Sequence, residues 1–130
     1  DASESEVSCL KELIVRAKKA ITQMTFSNPE DQKLLTLAKA TAVRVSATQG
    51  AAVRDESGRT YAAASVKLDS ITLDALELAL GMALSSGASA IEAAITFGSE
   101  PIARARLAIR EISPTALLAS VDQDGNITTY

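Results

Sequence analysis

Thr72-Leu73-Asp74-Ala75-Leu76-Glu77-Leu78-Ala79-Leu80 and Glu100-Pro101-Ile102-Ala103-Arg104-Ala105-Arg106 are the two stretches on which the reading of this chain turns. In the first, Ser70 or Thr72 is placed to cap a helix running to Ser85. Leu73, Leu76, Leu80 and Ala83/Leu84 lie on its core side, and Gly87 suits its C-terminal stop. In the second, Pro101 has the fixed φ that suits a first helical turn and opens a helix through Glu111, with Pro114 stopping it. The apolar run Ala90 to Phe97 between them has the length of a buried strand.

Upstream, Gly50-Ala51-Ala52-Val53 and Thr60-Tyr61-Ala62-Ala63-Ala64-Ser65-Val66 flank Asp55-Glu56-Ser57-Gly58, where glycine can take the positive φ of a short hairpin. Downstream, Thr115 to Val121 reads as a strand, Asp122 to Asn126 as a turn, and Ile127-Thr128-Thr129 as a short last strand. Before residue 48 the pattern is helical. Ser3-Glu4-Ser5-Glu6 forms a capping box ahead of an apolar stripe at Val7, Leu10, Ile14, Ala17, Ile21 and Met24, expected to pack on its own domain. A second helix starts at Asn28-Pro29, with Asn28 as N-cap and Glu30 and Asp31 in the first turn. Thr41 to Thr48 fits either its continuation or a strand, because Val43, Val45 and Ala47 alternate with polar residues.

This order predicts a single domain over residues 1–130: a helical N-terminal region, 1–48, and a core, 49–130. The fold class expected is α/β, a three-layer α/β/α sandwich with a mixed sheet and an N-terminal helical extension.

Composition narrows the functions open to it. Only 3% of the 130 residues are aromatic and none is Trp, so Ala, Leu, Ile and Val must build the core and platforms for stacking bases are scarce. A net charge of −3 and a pI near 4.9 give no footprint for nucleic acid. Cys9, the single cysteine, reads as a small apolar helix residue and excludes an internal disulfide, so a reducing compartment, the cytoplasm, is expected. No apolar stretch is long enough to span a membrane and no signal peptide is visible, although a first residue of Asp reads as a processed or trimmed start. With no His, neither a Ser-His-Asp nor a Cys-His centre can form, and the six glycines are scattered rather than gathered into a phosphate loop. Asp69, Asp74 and Glu77 cluster at a helix start, where free amides stabilise carboxylates, a reading preferred to an acid/base pair or a hard-metal site.

Three segments in order carry a resemblance. Gly50-Ala51-Ala52-Val53 with Gly58-Arg59-Thr60-Tyr61, then Thr72 to Leu80, then Glu100 to Arg106, resemble the hairpin, the first metal helix and the Pro-Cys-x-x-Cys loop of the cytidine deaminase superfamily. The resemblance implies a zinc ion held by Cys or His/Cys side chains, a metal-bound hydroxide and a proton-shuttling glutamate. Carried over position by position, the first ligand falls on Asp74, the glutamate on Leu76, and the other ligands on Ile102 and Ala105. Only Asp74 carries a ligating side chain. The family's ribose-contacting segment falls on Ser65-Val66-Lys67, where Ser65 keeps a hydroxyl and Lys67 reverses a charge, and the family's arginine is matched by Arg106.

The expectation is therefore a non-catalytic member of that superfamily without zinc or any other cofactor, serving as an oligomeric scaffold or binding module. Two alternatives stand beside it. One is a hydrolase with altered or residual activity, using Asp74 with carboxylates from another subunit. The other is a nucleoside-sensing or partner-binding module, acting through the pocket or the N-terminal helix. The pocket itself is expected to be small and largely apolar. A homo-oligomer, dimer or tetramer, is implied by the resemblance and fits the second apolar face formed by Leu78, Gly81, Met82 and Ser85.

Overall fold

Alternation along two strands sets the layers. In Gln49–Asp55 (β1), Ala51 and Val53 point to one side and Ala52 to the other; in the strand Ile91–Gly98 paired with it, Ala94 opposes Ala93 and Ile95. Both faces of the sheet are thus apolar, and each needs helices over it. The computed structural model describes residues 7–14 and 26–130. In chain order its elements are α1 (Pro29–Arg44), β1, β2 (Thr60–Ala64), β3 (Val66–Lys67), β4 (Thr72–Leu73), α2 (Ala75–Ser85), β5 (Ile91–Gly98), α3 (Ala103–Ile112), β6 (Leu117–Val121) and β7 (Ile127–Thr129). Residues 7–14 are helical as well.

The main sheet has the order β2-β1-β5-β6-β7; β5 and β6 run parallel, joined through α3, and the other pairs are antiparallel. Leu34, Leu35 and Ala38 of α1 cover one face with Ala52, Ala93, Ile95 and Val121. Leu76, Ala79, Leu80 and Ala83 of α2 and Ala105 and Ile109 of α3 cover the other with Val53, Ala94 and Leu118. This is the mixed three-layer sandwich that the sequence predicts. Small residues let the layers approach: a Cβ on Gly50 would lie 2.0 Å from the carbonyl oxygen of Ala38, so α1 rests directly on the strand. The β1–β2 turn closes on Asp55, whose Oδ1 accepts from Ser57 N, Ser57 Oγ and Arg59 N, while Gly58 takes φ +85°.

Several boundaries move, each for a local reason. The open segment Thr41–Thr48 is helical to Arg44 and leaves the helix through Ser46 at φ 55°, since Ala42 is buried against the core. Ser70 and Thr72 do not cap α2: Thr72-Leu73 pairs with Val66-Lys67 in a separate two-stranded ribbon, and Asp74 is the N-cap. Pro101 precedes rather than begins α3, whose N-cap is Ile102. Leu84, expected in the core, is 40% exposed. Val7, Leu10 and Ile14 are exposed, contrary to packing of that stripe on its own domain; residues 17, 21 and 24 and the capping box at 3–6 lie outside the described residues. No helix among the described residues is long and apolar enough to cross a membrane.

Candidate functional site

Three chain segments meet where α2 begins: the start of β1, the N-terminus of α2, and the 98–102 turn leading from β5 into α3. Gly98 makes that turn possible. Its φ is +94°, and a Cβ there would stand 2.2 Å from the Thr48 carbonyl oxygen.

Asp74 ties the three together. Its backbone is extended and its Oδ1 accepts from Leu76 N (2.8 Å) and Glu77 N (3.3 Å), as an N-cap does. Glu77 completes a capping box by accepting from Asp74 N at 2.8 Å. The other oxygen faces away from the helix: Oδ2 accepts from Gln49 Nε2 (3.0 Å) and from Ile102 N (3.1 Å). Gln49, 3% exposed, closes the network, because its Oε1 accepts from Ala75 N (2.8 Å) and its Nε2 also donates to Ser99 O (3.2 Å). Four N–H groups thus converge on one nearly buried carboxylate. It joins α2 to β1 and to the entry of α3.

Outside this network lies a second charge pair. Arg104 donates from Nε to Glu77 Oε2 (2.8 Å) and from Nη2 to Oε1 (2.9 Å). Those bonds, against the opposing effect of partial burial and with help from the Asp74 N–H, hold the Glu77 carboxyl below its ordinary value of 4.5. A group whose folded value is depressed contributes stability above its unfolded value and loses it as pH falls through the folded one. Glu77→Gln keeps the capping box but removes this charge. Urea unfolding between neutral and acid pH is therefore expected to show a shallower acid loss in that variant, by on the order of 1 kcal/mol because Arg104 is solvent-screened. Equal acid slopes would mean that the pair contributes nothing.

A cleft of about 230 Å³ opens over these groups, lined by Ser65, Lys67, Asp74, Glu77, Ile102 and Arg104, with Gln49, Ser99 and the β3–β4 ribbon completing it. Five of the sequence-selected residues, Ser65, Lys67, Asp74, Glu77 and Ile102, meet here. Leu76 and Ala105 do not: they are 0% and 1% exposed and pack in the core between α2, α3 and the sheet. Most of the wall is apolar, as expected, although polar and charged side chains stand among Val66, Leu73 and Ile102. Arg106 points elsewhere, over the ring of Tyr130 at 4.9 Å. Asp69 takes no part in the cleft lining. Gln49 escaped the sequence reading, since a glutamine ahead of a strand looks solvated and its partner stands 25 residues away. The Asp-x-x-Glu spacing of Asp74 and Glu77 was the legible cue for the true cap.

Among the described residues, no three His, Cys, Asp or Glu side chains come together as a metal site would need. Both oxygens of Asp74 already accept two N–H bonds each, and Leu76, Ile102 and Ala105 offer no side-chain lone pair. The donor set at these positions does not fit a zinc ion, which takes Cys, His or carboxylate ligands in tetrahedral array.

The family model that matches the sequence is described as cytidine deaminase-like and spans residues 27–125. No curated protein sequence matches the chain significantly. Among solved structures, the cytidine deaminase of Burkholderia pseudomallei superposes with a TM-score of 0.67 at 20% identity, covering 75% of this chain and 89% of that one. The cytidine deaminase of Bacillus anthracis gives 0.61 at 19% identity, over 79% and 83% of the two chains. That of Mycobacterium tuberculosis gives 0.60 at 20%, over 72% and 85%. At such identities the likeness is one of fold.

Proposed function

The chain belongs to the cytidine deaminase-like family, and from that premise we propose that it is a member without the deaminase reaction, one whose hydrogen-bonded carboxylate takes the structural place of a metal. The observation that carries this reading is the saturation of Asp74. A carboxylate that serves as helix cap with one oxygen and receives Gln49 and the α3 entry with the other has no lone pair directed into the cleft. Asp74, Leu76, Ile102 and Ala105 are assigned to the family's ligand and proton-shuttle positions by the resemblance of the two motif stretches. On that assignment the proton shuttle is a core leucine and the third ligand a core alanine. No cofactor is needed by such a domain.

The test is turnover. Purified protein supplied with zinc and cytidine or deoxycytidine is expected to leave the nucleoside absorbance unchanged, whereas deamination abolished by a chelator would establish the altered-hydrolase alternative.

What remains to such a domain is assembly and binding. Of the expected second face of α2, Gly81, Met82 and Ser85 are exposed, Met82 at 40%, while Leu78 packs partly against the core; this exposed strip supports a homo-oligomer, dimer or tetramer. Light scattering is expected to give a multiple of the 13.5 kDa chain mass, and the chain mass itself at micromolar concentration would remove the scaffold reading. Ser65 and Lys67 in the cleft favour a second reading, a nucleoside-sensing module. A nucleoside thermal-shift panel separates it from a pure scaffold, since only a binder raises the melting temperature with ligand concentration. A partner protein at the N-terminal helix is a further proposal, as is a cytoplasmic setting, supported by the lone cysteine, with no membrane or nucleic-acid partner.

A further inference from the structure

On the other side of α3 from the cleft lies a groove of about 330 Å³, lined by Ala103, Arg106, Leu107, Arg110, Leu118 and Tyr130. Its volume is at the small end of the range for organic-ligand pockets. Most of the lining is apolar: Leu118 is buried at 1% exposure, Leu107 stands 69% exposed, and the Tyr130 ring lies beneath the Arg106 guanidinium.

The polar groups do not share one task. Arg110 is committed to the protein, donating from Nη1 to Ala116 O (2.6 Å) and Pro114 O (3.2 Å) and from Nη2 to Tyr130 O, which fixes Tyr130 against α3. Arg106 Nε and the Tyr130 hydroxyl, in contrast, are both shielded from solvent and have no hydrogen-bond partner among the described residues. Buried polar groups are nearly always paired, so two orphans on residues that line one groove call for an explanation. A guanidinium only donates and a phenol readily does, so the missing partner is an acceptor, and the fixed cation favours a negative one.

We propose that this groove binds a small monocarboxylate with an apolar tail, the Arg106 side chain shifting over the Tyr130 ring so that the carboxylate accepts from Arg106 Nε and Tyr130 Oη, with the tail lying along Leu107, Ala103 and Leu118. Two donors and one uncommitted cation suit the two oxygens and single charge of a carboxylate better than a phosphate dianion. The groove shares no lining residue with the cleft, so the proposal stands apart from the fate of the family's reaction.

Octanoate is the probe, titrated into the full chain by calorimetry or by amide chemical shifts. Saturable binding with Kd below about 1 mM is expected, with octanol and acetate, the tail and the charge taken separately, at least about tenfold weaker. Arg106→Gln is expected to weaken octanoate about tenfold or more, and Tyr130→Phe, which keeps the ring and tests the site even if the first variant fails to fold, about threefold or more. The proposal is overturned if octanoate does not saturate, if Tyr130→Phe binds as the parent does, if octanol binds equally, if inorganic phosphate binds more tightly, or if octanoate competes with self-association, which would make the groove a contact for a second copy.

Discussion

Leu76→Glu is expected to lower the unfolding free energy by about 3 kcal/mol or more and to bring no activity with it. Leu76 is fully buried in a cluster with Val53, Leu80, Ile109 and Leu118, where a carboxylate would find neither water nor a donor. Its own backbone N–H is already taken by Asp74. The denaturant midpoint of the variant checks this, with Leu76→Met as the control for shape, which a packed core tolerates at a cost below about 1.5 kcal/mol. An unchanged midpoint for the glutamate variant would place the residue in water and undo its assignment to the core.

The second large effect belongs to Asp74. Replacing it with alanine removes an N-cap, which costs about 1 kcal/mol, and leaves Gln49 Nε2 and Ile102 N without their acceptor. The total is expected near 3 kcal/mol, since each buried donor left unpaired costs about 1–3 kcal/mol. Asp74→Asn separates the two roles. Asparagine caps helices as well as aspartate, so a pure cap would tolerate it. A clamp would not, because the amide nitrogen would face the donors from Gln49 and Ile102. We expect Asp74→Asn to lose most of what alanine loses. A near-neutral asparagine variant would reduce Asp74 to a helix cap.

How far the fold was legible follows from where its determinants sit. Asn28-Pro29, the Gly58 turn and the Asp122–Asn126 turn are local, each held by contacts within a few residues, and each is found where the sequence places it. The order of elements was readable, with a buried strand between two capped helices, which is why the sandwich was predictable, while the two apolar faces of β1 and β5 emerge from the structure. The site was less so. Gln49 acts on Ala75 across 26 residues and Asp74 on Ile102 across 28, and no short-range pattern encodes such bonds. The 72–73 segment misled for a related reason: Thr72 is a fair cap by residue type, but pairing with Lys67 holds it extended and passes the cap to Asp74. The groove beside α3 was invisible for the same cause, since Arg106 and Tyr130 are brought together only by the parallel β5–β6 crossover and the return through β7.

The claim that a carboxylate network stands where the family's metal would be is tested most directly by the zinc content of the purified protein. Elemental analysis after equilibration with zinc and removal of loosely held metal is expected to find far less than one ion per chain. About one retained zinc per chain would contradict the account, because a structural or catalytic site holds its metal through such treatment.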